Sequence, residues 1–259
     1  MASNDSPLTI WLVGASQGIG LALTERLLDQ GHCVIATARN ACQSAELLAL
    51  QAQHNLEIPR LHLLDGDVQA DTVQALCQQA WVLGNGIDIW FYNAGLYSAM
   101  RTTEWELSAF TAMNQVNYLG AVKLMIELES LQRQTAKPMR WIWNISLSAD
   151  FGLPYGGGYS APKAALLNLA ESLQPELAQQ KIQLQVINHG FVKTRLTAKN
   201  TFNMPGLMPP EEAAERISQW MFAPSRRFEL RFPFALATTL AILKRLPKSL
   251  SLWLTKRML

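Results

Sequence analysis

A chain of 259 residues, 49% apolar and 16% charged, suits one α/β domain with a full core and needs no second one. A net charge of +2 is too small for a nucleic-acid-binding surface. The opening Met1 to Pro7 is polar, with neither a basic start nor an apolar stretch, so a secretory signal is not expected and a cytoplasmic location is. Cys33, Cys42 and Cys77 form no Cys-x-x-Cys pair and have no histidine at ligand spacing, which predicts reduced thiols and no metal site.

In chain order, the apolar run Leu8–Val13 leads into Gly14-Ala15-Ser16-Gln17-Gly18-Ile19-Gly20 and then the helical pattern Leu21, Leu23, Leu27, Leu28. This is strand, glycine turn, helix. Such glycines let the backbone approach a pyrophosphate, whose charge meets the N–H groups at the helix start. The spacing Gly-x-x-x-Gly-x-Gly departs from the Gly-x-Gly-x-x-Gly fingerprint. A second strand, Cys33–Thr37, is followed by Ala38-Arg39-Asn40. Dinucleotide folds place an acid there to hold ribose hydroxyls and repel a 2′-phosphate; here Arg39 offers a guanidinium fork that favours one.

Further strands are expected at Leu61–Leu64, Ile87–Tyr92, Arg140–Ile145, Ile182–Asn188 and Phe228–Phe232, with helical patterns between them. Strands apolar throughout point to a parallel sheet covered on both faces: a Rossmann-type doubly wound α/β fold of about seven strands. Trp11, Trp90, Trp141 and Trp143 fall in these strands as bulky core fillers. Ahead of the sixth strand, Tyr159-Ser160-Ala161-Pro162-Lys163 puts a phenol and an ammonium four residues apart on one helix face. A lysine charge held there is expected to draw the tyrosine toward neutrality, so that it exchanges protons with a substrate.

The glycine turn and the Tyr-x-x-x-Lys pair together resemble the short-chain dehydrogenase/reductase family, and more of its pattern follows in order. Tyr92-Asn93-Ala94-Gly95 is similar to the family's Asn-Asn-Ala-Gly element, with tyrosine first. Asn117 matches its catalytic asparagine, Ser146 stands thirteen residues before Tyr159 as its serine does, and Asp67-Val68 matches the loop that meets adenine. The resemblance runs from about Leu8 to Thr194.

It implies a nicotinamide-dependent oxidoreductase acting on a ketone, an aldehyde or a secondary alcohol. Tyr159 is then the acid/base, Ser146 the group polarising the oxygen, and Lys163 both the partner of Tyr159 and a binder of the nicotinamide ribose. Asn117 is implied to hold a water linking Lys163 to solvent. Ser148 competes with Ser146 but is two residues closer to Tyr159 than the family's serine. The implied cofactor residues are Gly14, Ser16, Gln17, Gly18, Ile19, Gly20, Arg39, Asp67, Val68, Asn93, Ala94, Gly95, Tyr159, Lys163, Gly190, Val192 and Thr194. Arg39 favours NADP(H) over NAD(H), although Gln17 stands where many NADP-preferring members carry a second basic residue. His189 replaces the family's proline before Gly190, and a more mobile loop is expected there.

Leu96, Tyr97, Met100, Tyr155, Phe191 and the loop from Leu196 to Met208 are expected to border the substrate, which their apolar character marks as a hydrophobic carbonyl or alcohol. Residues 196–210 read as a lid, and Pro154 with Gly156, Gly157 and Gly158 as a pliable wall. After Glu229 there is no acidic residue, and Arg231, Lys244, Arg245, Lys248, Lys256 and Arg257 are interleaved with leucines and Trp253. Residues 234–259 therefore read as a basic amphipathic extension that packs on the domain, pairs across a dimer, or lies on an anionic membrane surface. The resemblance implies a homodimer or homotetramer through the helices near 105–131 and 159–178. Two other functions fit the same pattern: an NADP(H)-binding sensor or regulator of little activity, and a membrane-peripheral reductase of lipid carbonyls.

Overall fold

Seven apolar runs become strands in the computed structural model: β1 (Thr9–Val13), β2 (Cys33–Ala38), β3 (Leu61–Asp65), β4 (Ile89–Tyr92), β5 (Met139–Asn144), β6 (Ile182–His189) and β7 (Glu229–Phe232). Residues 6–55, 58–200, 202–224 and 227–257 are described; the first five residues, Thr201 of the expected lid, and Met258 and Leu259 of the expected tail lie outside them. Every strand falls within two residues of the bounds its apolar run predicts. All neighbours are parallel, in the order β3-β2-β1-β4-β5-β6-β7.

Alternation along each strand fills two cores. Trp11 and Val13 of β1 with Trp90 and Tyr92 of β4 face α3 (Val73–Leu83), α5 (Gly120–Thr135) and α6 (Gly157–Gln179). Ile10, Leu12, Ile89 and Phe91 face α1 (Gly18–Asp29), α2 (Ala45–His54) and α7 (Pro210–Met221). The four strand tryptophans are fully buried, and Trp141 and Trp143 meet Trp90 edge-on with ring centroids 5.4 and 6.0 Å away. They are core fillers, as their positions predict.

Two local devices shape the site. Helix α4 (Leu107–Asn114) runs into α5 through a wider π turn, Gln115–Leu119, which carries Asn117. Tyr92, the departure from the family's Asn-Asn-Ala-Gly element, donates its hydroxyl to the Val116 carbonyl of that turn at 2.5 Å. A Cβ on Gly120 would lie 2.5 Å from the same hydroxyl, so only glycine lets the turn sit this close to β4. Beyond β7, α8 (Phe234–Arg245) lays Ala237 and Leu240 on Leu147 and Phe151 in a third, smaller core, and α9 (Lys248–Lys256) follows. No helix among the described residues is long and apolar enough to cross a membrane.

Candidate active site

The strand order reverses between β1 and β4, so chain leaves their C-terminal ends in opposite directions and opens a crevice. The glycine turn lies at its floor. Gly14 and Gly18 adopt φ of +92° and +55°, which side chains rarely tolerate. A Cβ at Gly14 would come 2.7 Å from the Ala94 amide nitrogen, and one at Gly18 would come 2.8 Å from the Thr194 methyl. The turn is thus pressed between the ends of β4 and β6. Helix α1 starts at Gly18 with no side-chain cap, leaving its first N–H groups for an anion.

Hydrogen bonds carry this floor across the crevice to α6. Asn93 Nδ2 donates to the Gly14 carbonyl at 2.8 Å, Asn144 Nδ2 donates to Asn93 Oδ1 at 2.7 Å, and Lys163 Nζ donates to the Asn144 carbonyl at 2.8 Å. The glycine turn and the lysine of the Tyr-x-x-x-Lys pair are therefore parts of one connected frame.

Lys163 is buried, its ammonium 5.9 Å from the Tyr159 ring centroid. Burial pulls its pKa down to about 7. Burial also pushes Tyr159 up to about 12, outweighing a lowering hydrogen bond with Ser146, and Tyr97 adds a further upward push. The lowering expected from the lysine charge is not found in the protein alone: desolvation dominates both groups, and Lys163 directs one of its N–H groups to the Asn144 carbonyl. Ser146, not Ser148, interacts with Tyr159. The Ser148 amide and hydroxyl both donate to Ser146 Oγ, at 3.2 and 3.0 Å, leaving the Ser146 proton to point elsewhere.

Asn117 is fully buried, and its side chain hydrogen-bonds the Leu96 backbone. Its amide oxygen accepts from Leu96 N at 2.9 Å and its nitrogen donates to Leu96 O at 2.8 Å. The side chain thereby fixes the loop that aims Tyr97 edge-on at Tyr159, with centroids 5.2 Å apart.

These elements enclose one cleft of ≈ 1350 Å³. Its lining includes Gly14, Ser16, Gln17, Gly18, Ile19, Arg39, Asp67, Val68, Asn93, Ala94, Gly95, Ser146, Tyr159, Lys163, Gly190, Val192 and Thr194. Gly20 lies behind the wall against the Gly14 carbonyl, and Met100 is buried against Gly158 and not in the cleft. Leu96, Tyr97, Tyr155 and Phe191 do line it, with Leu196, Thr197, Asn200 and Phe202 of the expected lid. The lid has more structure than its composition suggests: a 3-10 turn at Thr197–Lys199, and a parallel bridge between Val192 and Met208 that pins its far end. His189 is held as well, its Nδ1 2.7 Å from the Gly190 carbonyl and its ring stacked on Phe232. Burial lowers it to about 4, so it is neutral at neutral pH. The ring that stands in proline's place is thus anchored at Gly190 and Phe232. Among the described residues no cluster of His, Cys, Asp and Glu is arranged to hold a metal.

The model of the short chain dehydrogenase family matches residues 8–204. The chain belongs to the short-chain dehydrogenase family. An uncharacterised oxidoreductase of Myxococcus xanthus is 29% identical over 245 residues, 93% of this chain and 94% of the relative. A 3-oxoacyl-acyl-carrier-protein reductase of Aquifex aeolicus is 26% identical, covering 72% of this chain and 75% of its own length. Among solved structures, a short-chain dehydrogenase of Streptomyces avermitilis superposes with a TM-score of 0.78 at 20% identity, over 97% of this chain and 96% of the other. One from Burkholderia cenocepacia, in complex with NADP, gives 0.77 at 21% identity over 96% and 98%. These structural likenesses establish the shared fold.

Three features of this short-chain dehydrogenase lie outside the motifs that carry its resemblance to the family. First, Arg195 donates to the Gln17 side chain, so a guanidinium from the loop after β6 stands at the glycine turn where the sequence has none. Second, a polar chain runs under Ser146: its N–H donates to Asn188 Oδ1 at 3.2 Å, Asn188 Nδ2 to Glu229 at 2.5 Å, and Arg231 to both Glu229, at 2.6 Å, and Asp150. Arg231 is thus an internal ion-pair partner and not part of the basic tail. Third, Leu236, Thr239, Leu240 and Leu243 of α8 roof the cleft. Asn188 in β6, and two charges in the short β7, are the sequence signs of the second feature.

Proposed function

We propose that this short-chain dehydrogenase is NADP(H)-dependent and interconverts an apolar ketone or aldehyde with its alcohol, using Tyr159 as acid/base. The observation that carries this is the single cleft with Ser146, Tyr159 and Lys163 at one end and the uncapped α1 N-terminus and Arg39 at the other. The chain fits a dinucleotide: Gly14 and Gly18 keep the floor clear of any Cβ, and the cleft exceeds the ~300–1,000 Å³ that a drug-sized ligand fills. Asp67 and Val68 would border the adenine, Gly18 and Ile19 the pyrophosphate, and Asn93, Lys163, Gly190, Val192 and Thr194 the nicotinamide riboside. Bound there, the nicotinamide gives or accepts the hydride.

Arg39 is exposed at the cleft rim, where the end of β2 carries no acid, and would pair with a 2′-phosphate. Arg195 adds positive charge near Gln17, and Glu46 in the same lining opposes part of it. That the Burkholderia relative was crystallised with NADP supports this choice.

Ser146 would hydrogen-bond the substrate oxygen with the proton it turns toward Tyr159. Tyr159, fully protonated at neutral pH, would deliver its proton to that oxygen as negative charge develops there. Lys163, poised near 7, would supply charge to the phenolate left behind. Asn117 and Tyr97 hold the ring in place. Leu96, Leu153, Phe191, Leu236, Leu240 and Leu243 offer an apolar chamber with no phosphate-binding cluster, which selects a hydrophobic substrate. The test is a panel of soluble aldehydes and ketones of increasing chain length, followed as loss of NADPH absorbance. Turnover that rises with apolar length is expected. Tight NADPH binding with no turnover of any carbonyl would contradict the reading.

A further inference from the structure

Helix α9 is turned inside out. Ser251 and Thr255 are its buried residues, their hydroxyls satisfied by the Pro247 and Leu252 carbonyls at 3.3 and 3.1 Å. Leu252, Trp253 and Leu250 face outward, 60%, 50% and 42% exposed, and belong to none of the three cores. A helix kept for the stability of its own domain shows the opposite pattern. On the neighbouring helix Ile242 is 54% exposed. Between α8 and α9 lies a groove of ≈ 310 Å³ lined by Thr239, Ile242, Leu243, Leu246, Leu254 and Thr255. Thr239 and Leu243 also line the main cleft, so apolar surface continues from the substrate chamber to the outside of the hairpin.

Charge says what covers this face. Lys244, Arg245, Lys248, Lys256 and Arg257 are all exposed around it, and none forms an ion pair among the described residues. No acidic residue follows Glu229 to balance them. The Arg257 guanidinium lies 3.8 Å over the Trp253 ring, an arrangement that lets a cation and an apolar ring enter a headgroup layer together. A second copy of this face would bring five cations against five, whereas an anionic bilayer satisfies both the charges and the apolar patch.

We infer that the α8–α9 hairpin docks on an anionic membrane surface and that its groove admits a membrane-partitioned carbonyl lipid to the cleft. The docking stands by itself; the lipid substrate rests on the function proposed above. The full chain should pellet with vesicles of phosphatidylcholine containing phosphatidylglycerol, should not pellet with phosphatidylcholine alone, and should be released by high salt. The double variant Leu252→Glu, Trp253→Glu, at two exposed positions that do not line the cleft, should lose pelleting while keeping its turnover of a short soluble aldehyde. With the wild type, adding the anionic vesicles should raise turnover of a long-chain aldehyde, and the variant should lose that increase. Equal pelleting with both vesicle types, or none, overturns the docking, as does a wild-type dimer that this variant converts to monomer, which would make a second copy the occupant. Pelleting without vesicle-dependent turnover, where short aldehydes are reduced, overturns the lipid route alone. Pelleting with no turnover of any carbonyl leaves the docking supported and removes the proposed function.

Discussion

Lys163 shows most directly how a side chain of the proposed site is held at a cost. Its ordinary pKa of 10.5 falls to about 7 in the folded protein. Between those values the unfolded chain keeps a proton that the folded chain has released, so stability rises with pH across that window, and the full penalty stands below about 7. Lys163→Met removes the buried charge. The cofactor-free variant should melt higher than wild type at pH 6, the difference should shrink toward pH 10, and turnover should be lost; an unchanged or lower melting temperature at pH 6 would contradict the burial cost. The pairing of Tyr159 with Lys163 was legible in the sequence because four residues along a helix is a local relation. The direction of the Tyr159 shift was not, because desolvation is set by walls that come from distant elements. Arg195 at Gln17 and Asp150 at Arg231 were hidden for the same reason, their partners lying 178 and 81 residues away.

At the scale of elements, the strands were readable because a sheet buried on both faces makes most of its strands near-continuous apolar runs, whatever their neighbours. The π turn at Gln115–Leu119 was not, since it depends on the Tyr92 hydroxyl reaching the Val116 carbonyl. The roof of the cleft was legible only as part of a basic amphipathic extension, with packing on the domain as one of its expected placements. Beside the apolar contact of Ala237 and Leu240 with Leu147 and Phe151, an ion pair secures its base: Asp150, after the Ser146 turn, has a side chain only 4% exposed and is paired with Arg231 of β7. Arg231→Met should leave that carboxylate buried and unpaired, costing about 3 kcal/mol in denaturant unfolding. It should also reduce turnover by loosening Ser146 through Glu229 and Asn188. The double variant Asp150→Asn, Arg231→Met should recover much of the stability; no difference between the single and double variants would show that the pair does not hold the roof.

At the scale of the whole molecule, one cleft joins both halves of the sheet, so a ligand filling it should stabilise the entire fold. Saturation at about 100 times Kd adds ~2.7 kcal/mol, which for a chain of this length raises the melting temperature by roughly 5–10 °C. NADPH should produce that rise at lower concentration than NADH. Arg39→Ala should weaken NADPH binding about tenfold or more, the loss of one hydrogen bond to a charged group, and leave NADH unchanged. Equal shifts for the two cofactors would remove Arg39 from phosphate recognition.

The most direct test of the chemistry is the turnover of NADPH with an apolar aldehyde by Tyr159→Phe, measured beside an NADPH titration of the same sample. Turnover should fall by about 10²–10⁴-fold while NADPH binding is kept, as expected when one positioned proton donor is removed. Unchanged turnover with NADPH still bound would show that Tyr159 is not the acid/base of this site.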